Sequence, residues 1–272
     1  MNTWRDASQP PFLRLSLAAR LFGLLRGLLL GTVVFGGLAV LLVVRLLERP
    51  VFGLARPLTP WITQGVCRAA LVILGIRYRV SGRALVRIGA VVANHSSWLD
   101  IFALNACQRV YFVAKSEVAG WAGIGWLARA TGTVFIRRDP REARAQKALF
   151  ETRLRAGHHL LFFPEGTSTD GRRVLPFKST LFSAFFSASP GREMWVLPIS
   201  LIYRAPEGAD PRFYGWWADM ELAPHLMQVL ARWRQGEIEV VFHEAVRVEA
   251  FESRKALAAH CERAVRSALP FA

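Results

Sequence analysis

Between Arg26 and Arg45 lie 18 consecutive uncharged residues, Gly27 to Val44, nearly all aliphatic. A helix over that run would be about 27 Å long, close to the hydrocarbon thickness of a bilayer. The run therefore predicts a transmembrane or deeply embedded helix. A signal peptide fits poorly, because the run starts late and no small-residue cleavage site follows it. Gly31, Gly36 and Gly37 weaken the helix and leave a re-entrant hairpin open. The flanking arginines are balanced, so they set no orientation. Upstream, after a break at Pro10-Pro11, Leu and Ala alternate with Arg14, Arg20 and Arg26 from Phe12 onward, as in an amphipathic helix at a membrane surface. Downstream, Pro50, Pro57 and Pro60 punctuate the exit. Trp61 to Ile76, with Gln64 and Arg68, is too short to cross easily and reads as an interfacial helix packed beside the first. Residues 1–76 are thus expected to form an N-terminal membrane-anchoring segment, and 77–272 a separate domain.

Charge agrees with a membrane. The 35 Lys and Arg against 20 Asp and Glu give +15, a surplus that seeks a polyanion. No compact basic run is interleaved with aromatics, so nucleic acid is not an expected partner. The nine tryptophans and the apolar N-terminus suit an anionic membrane surface better. Cys67, Cys107 and Cys261 are scattered and odd in number. They predict neither a disulfide framework nor a zinc site, and fit a reducing compartment.

From Arg77 onward short apolar runs alternate with helical stretches. Strands are expected at 78–80, 90–93, 110–114, 133–136, 160–163, 195–202 and 238–242. Helices are expected at 117–130, 140–156, 178–188 and 251–269. Such alternation predicts an α/β fold, a central mixed sheet flanked by helices.

Four blocks carry candidate chemistry. The first, Asn94-His95-Ser96-Ser97-Trp98-Leu99-Asp100, puts a histidine at a strand end and an aspartate five residues later. That pair can fix the imidazole tautomer and make it a general base, although a lone buried histidine is more often structural. The second, Gly132 to Arg138, is a strand ending in Arg137 and Arg138, either an anion clamp or a solvated strand end. In the third, the apolar strand Leu160 to Phe163 stops at Pro164-Glu165-Gly166-Thr167-Ser168, a turn able to offer backbone N–H groups to an oxyanion, or a plain turn. The fourth, Val196-Leu197-Pro198-Ile199-Ser200, contains a proline that demotes it to an edge or bulged strand. A Gly-x-Ser-x-Gly elbow is missing, Gly123-x-Gly125 falls inside an expected helix, and His243-Glu244 lacks the second histidine of a zinc protease.

Together, in this order, the blocks Asn94-His95-x-x-x-x-Asp100, Gly132-x-x-Phe135-Ile136-x-Arg138, Phe163-Pro164-Glu165-Gly166-Thr167 and Val196-x-Pro198-Ile199 resemble the glycerolipid acyltransferase family, over roughly residues 77 to 205. The resemblance implies a membrane-bound lysolipid O-acyltransferase on the cytoplasmic side of the cell inner membrane. The donor would be a thioester of acyl-carrier protein or coenzyme A, with no metal and no further cofactor. It implies His95 as general base and Asp100 as its orienting partner. Arg137, Arg138, Glu165, Gly166, Thr167 and Ser168 would bind the acceptor. The family default acceptor is 1-acylglycerol-3-phosphate. Members that use glycerol phosphates commonly carry Arg where this chain has Ser168. The stretch Ser168 to Ser179 looks like the branch that acylates lyso-ornithine lipid, and Asp170 could face that headgroup's ammonium. Arg172, Arg173 or Arg138 could equally rebuild a phosphate site, so both acceptors stay open. Outside the enzyme class, an inactive lipid-binding protein is the alternative.

Overall fold

The uncharged run forms the middle of a much longer helix. In the computed structural model, which describes residues 4–84, 87, 89–137, 141, 143–188 and 193–270, helix α1 spans Leu17–Phe52. Its 36 residues measure roughly 54 Å. Ser16 Oγ caps its start by accepting the Ala19 N–H at 3.2 Å. The amphipathic helix and the embedded helix expected from sequence are therefore one element. The helical hairpin forms later, where α1 turns into α2 (Thr59–Leu74). Gly37 serves the contact between them: a Cβ there would meet Val66 Cγ2 at 2.3 Å. A core helix of this composition would be mostly buried, yet only 11% of the most apolar 18-residue window of α1 is. Leu21, Leu25, Leu28, Val43, Leu46 and Leu47 are exposed. This is a membrane-associated helix.

Helix α2 does not lie apart from the rest. Its Cys67, Ala70, Leu71 and Leu74 share one core with Leu30 of α1, Val91, Leu99, Leu197 and Val240. A domain boundary at residue 76 would cut through that core. Nor do residues 4–15 form a helix. Trp4 is buried against Trp217 and Met220, and this extended segment lies over the loops beyond residue 166.

Eight strands form one sheet: β1 (Arg77–Ser81), β2 (Gly89–Ala93), β3 (Tyr111–Lys115), β4 (Val134–Ile136), β5 (Leu160–Phe162), β6 (Trp195–Arg204), β7 (Glu237–Phe242) and β8 (Val246–Arg247). Their order is β1-β7-β6-β2-β5-β3-β4, with β8 also on β6. Only the β6–β7 and β6–β8 pairs are antiparallel. Strand alternation divides the core in two. Val91 and Ala93 face α2, α3 (Leu99–Cys107) and α7 (Leu222–Ala231). Ala90 and Val92 face α5 (Ala143–Arg155), α6 (Ser183–Ala188) and α8 (Arg254–Ser267). Helix α7 was not anticipated. The helix expected over 117–130 is broken at Gly123 (φ +70°), into a 3₁₀ turn at Ser116–Gly120 and α4 (Ile124–Thr131).

Strand β6 is interior, not an edge. The Leu201 N–H and C=O point toward β2, because both bond the Asn94 side chain. Pro198, an odd number of residues away, turns its missing donor to the other side, at the break between β7 and β8. Its carbonyl still accepts there, from His243 N at 3.1 Å. The break is what admits proline to the middle of a sheet.

Candidate active site

Strand β2 ends inside the sheet, between β5 and β6. Asn94 continues the ladder with its side chain: Nδ2 donates to Leu201 O at 2.9 Å, and Oδ1 accepts from Leu201 N at 2.8 Å. That releases the backbone to turn at His95. Asp100 then falls in the first turn of α3, where backbone N–H groups are unpaired and favour an anion. Its Oδ2 accepts from Ser96 N at 2.8 Å, Ser97 N at 3.1 Å and His95 Nδ1 at 2.6 Å. Its Oδ1 accepts from the Tyr203 hydroxyl. A carboxylate surrounded by donors takes the proton of Nδ1 as a fourth, so Nε2 is the basic nitrogen. Asp100 is fully buried while the His95 side chain is 25% exposed, which leaves the imidazole accessible and its partner dry.

Glu165 holds the histidine from the other side. Its Oε1 accepts from His95 N and its Oε2 from Leu175 N, both at 2.7 Å. The carboxyl is 1% exposed. Burial pushes it up to about 8, the two backbone bonds oppose that, and Asp100 adds to it. The expectation that Glu165 touches the acceptor gives way to a positioning role, because both oxygens are spent on backbone. Phe163 stacks on the His95 ring at 4.1 Å and 11°. Phe112 stacks behind it at 6.0 Å, which forms an apolar wall beside the base.

The other expected residues sit on the same C-terminal edge. Gly166, at φ +73°, closes a tight turn by donating its N–H to Phe163 O at 3.0 Å, so that N–H is engaged within the turn. Thr167 Oγ1 accepts from Trp4 N at 3.4 Å. Ser168 follows, half-buried. Arg137 is exposed at the end of β4, three strand spacings or roughly 14 Å from β2. Arg138 lies outside the described residues. Asp170 is not open to a ligand ammonium: it is buried, and Arg173 holds both its oxygens, Nε on Oδ1 at 3.2 Å and a terminal nitrogen on Oδ2 at 3.0 Å. Among the described residues no three His, Cys, Asp or Glu gather as a metal site.

Tyr203 and Trp4 escaped sequence reasoning. Tyr203 is 103 residues from its partner, and nothing local distinguishes its hydroxyl from that of Ser200 on the same strand. Trp4 precedes every motif.

Residues 78–202 match the protein family described as Acyltransferase. The chain is 60% identical to a lyso-ornithine lipid O-acyltransferase of Rhodobacter capsulatus over 266 residues, 98% of this chain and 96% of that one. It is 34% identical to a 1-acyl-sn-glycerol-3-phosphate acyltransferase of Neisseria gonorrhoeae over 182 residues, 65% of this chain and 68% of the other. The crystal structure of PlsC, the 1-acyl-sn-glycerophosphate acyltransferase of Thermotoga maritima, aligns with a TM-score of 0.65 at 22% identity, covering 93% and 94% of the two chains. That likeness shows the expected fold, a mixed sheet with flanking helices.

Proposed function

This chain belongs to the acyltransferase family and acts on lysolipids, and from that premise we propose that it is a lyso-ornithine lipid O-acyltransferase. The observation that carries the reading is the 60% identity over nearly the whole chain to an enzyme of that name. Ser168 supports it: a clamp without one guanidinium holds a phosphomonoester more weakly, each charge-assisted contact contributing about 1.5–3 kcal/mol. An ornithine headgroup has no phosphate to hold.

In the proposed reaction, Nε2 of His95 takes the proton of the acceptor hydroxyl as that oxygen attacks the thioester carbonyl. The carbon–sulfur bond breaks, and the imidazolium returns the proton to the departing thiolate. Asp100 stabilises the imidazolium throughout. Phe163 and Phe112 keep water from the base, which favours the lipid hydroxyl over hydrolysis. Arg137, Arg138, Thr167 and Ser168 are proposed on the acceptor side. No cofactor beyond the thioester of acyl-carrier protein or coenzyme A is invoked. The proposed place of action is the cytoplasmic face of the inner membrane, where a water-borne donor meets a lipid surface.

The test offers purified enzyme lyso-ornithine lipid and lysophosphatidate in competition, each with acyl-carrier-protein and coenzyme A donors. Preference for the ornithine acceptor is expected, and preference for lysophosphatidate would restore the family default. Ser168→Arg is expected to shift the ratio of kcat/KM values toward lysophosphatidate by about tenfold. An unchanged ratio would remove Ser168 as the selectivity position.

Tyr203→Phe tests the support beneath Asp100. Losing one donor loosens the carboxylate that orients His95, so kcat should fall about tenfold while KM for the acceptor is unchanged. An unchanged kcat, or a KM that rises as kcat falls, would mean that Tyr203 only fills space.

A further inference from the structure

At the edge of the sheet opposite His95, arginines crowd together without enough acid to neutralise them. Arg153 of α5, 7% exposed, donates to Gly132 O and lies over the Tyr111 ring at 5.0 Å. Arg56, in the turn between α1 and α2, donates to Ala130 O at 2.7 Å. The two guanidinium groups converge: a Cβ on Gly132 would meet Arg56 Cζ at 3.0 Å and an Arg153 terminal nitrogen at 3.1 Å. His158, buried, stacks on Tyr111 at 3.9 Å. Burial, Arg153 and Arg56 together push it down to about 3, so it adds no charge at neutral pH.

The balance does not close. Among the described residues, Arg45 and Glu48 are the other charged groups facing this corner. Glu48 is fully committed: Oε1 accepts from Leu58 N and Thr59 N, and Oε2 from the Thr59 hydroxyl and Arg45. One carboxylate thus stands against three guanidinium groups, none of which can shed its proton. Buried charge without a partner is costly, and a buried donor without an acceptor signals a missing one. The Nε of Arg56 and the Nε of Arg153 lack hydrogen-bond partners.

A narrow cleft with room for about one water opens beside them, lined among others by Arg56, Thr59, Asn105, Arg109 and Tyr111, with Arg153 buried behind it. Arg109 is exposed at its side and lies over the Trp61 ring at 4.0 Å. We propose that the mouth of this cleft binds the phosphate of an anionic phospholipid, with Arg56 and Arg109 as its contacts and the buried Arg153 adding positive charge behind them. The lipid source follows from the surroundings. Leu54, Leu58 and Trp61 are exposed on the same turn, and Val51 and Phe52 beside them on the end of α1. An apolar rim next to a cluster of cations matches a lipid at the membrane interface. A free anion would need the arginines but not the rim. The site lies across the sheet from His95 and does not depend on which acceptor the enzyme uses.

The test follows thermal unfolding of the full chain in neutral detergent. Dioctanoyl phosphatidylglycerol, dioctanoyl phosphatidylcholine and inorganic phosphate are added at equal concentrations. Phosphatidylglycerol is expected to raise Tm by about 5 °C, with the other two giving much less. In Arg56→Met, the lipid-free Tm is expected to hold or rise, because a like-charge contact is relieved, while the phosphatidylglycerol shift is lost. The exposed variant Arg109→Gln, which does not disturb the core, is expected to lose at least half of that shift. Equal shifts from both phospholipids, or an undiminished shift in both variants, would overturn the site. An equal shift from inorganic phosphate would overturn the lipid assignment.

Discussion

His95→Ala is expected to lower kcat for acyl transfer about a thousandfold, within the range general bases contribute, while KM for the acceptor changes little. In the proposed reaction the imidazole meets the acceptor only at its reacting hydroxyl, so its loss falls on the transition state and spares ground-state binding. Asp100→Asn should cost nearly as much. The amide would place an NH2 group or a weaker oxygen against Nδ1, turning the tautomer away from the one that leaves Nε2 basic. It would also lose an acceptor for Ser96 N, Ser97 N or Tyr203. Because the two residues act as one unit, the double variant should be little worse than His95→Ala alone. Rates from purified proteins, with hydrolysis of the thioester counted separately, check this. If His95→Ala retained full transfer, the base would lie elsewhere. An inactive wild type that still bound lysolipid would favour a lipid-binding protein.

Glu165 sets the second large effect, on stability. Its ordinary value is 4.5, and in the folded chain burial raises it to about 8. Between those values the folded protein keeps a proton that the unfolded chain releases. Stability from this group is therefore full below about pH 4.5 and is lost as pH rises toward 8, at up to about 1.4 kcal/mol per pH unit. Glu165→Gln removes the titration and loses one acceptor, for His95 N or Leu175 N, equally at every pH. Urea unfolding in neutral detergent should show the wild type losing more stability than this variant between pH 5 and 8, by on the order of 3 kcal/mol. Parallel losses would mean that the carboxyl holds no proton in the fold. Glu165→Ala should do worse at every pH, since it orphans the N–H groups of both His95 and Leu175.

Glu165 also shows where reading a sequence stops. Its place in Phe163-Pro164-Glu165-Gly166-Thr167 marked it, but its neighbours suggested a group facing the acceptor. Only the pairing of β2 with β5 brings it 70 positions back to the His95 backbone. Asp170 is closed for a local reason: the arginine three residues on holds both its oxygens. At the N-terminus the arginine-spaced helix expected from Phe12 starts at Leu17, and what no local pattern announced is Trp4, upstream of it, packed on Trp217.

Local physics accounts for what the sequence alone determined. An uncharged apolar run of this length makes a helix with an apolar surface to cover. Alternating apolar runs make a layered sheet. A histidine and an aspartate five residues apart can meet across one turn without help from elsewhere. Tertiary structure decided whatever joins distant residues. The division of α1 and α2 between lipid and core depends on the sheet they cover. The second oxygen of Asp100 depends on Tyr203, one strand away. Pro198 is tolerated in the middle of the sheet because its missing donor meets a gap between two short strands, a match that exists only once all three are in place.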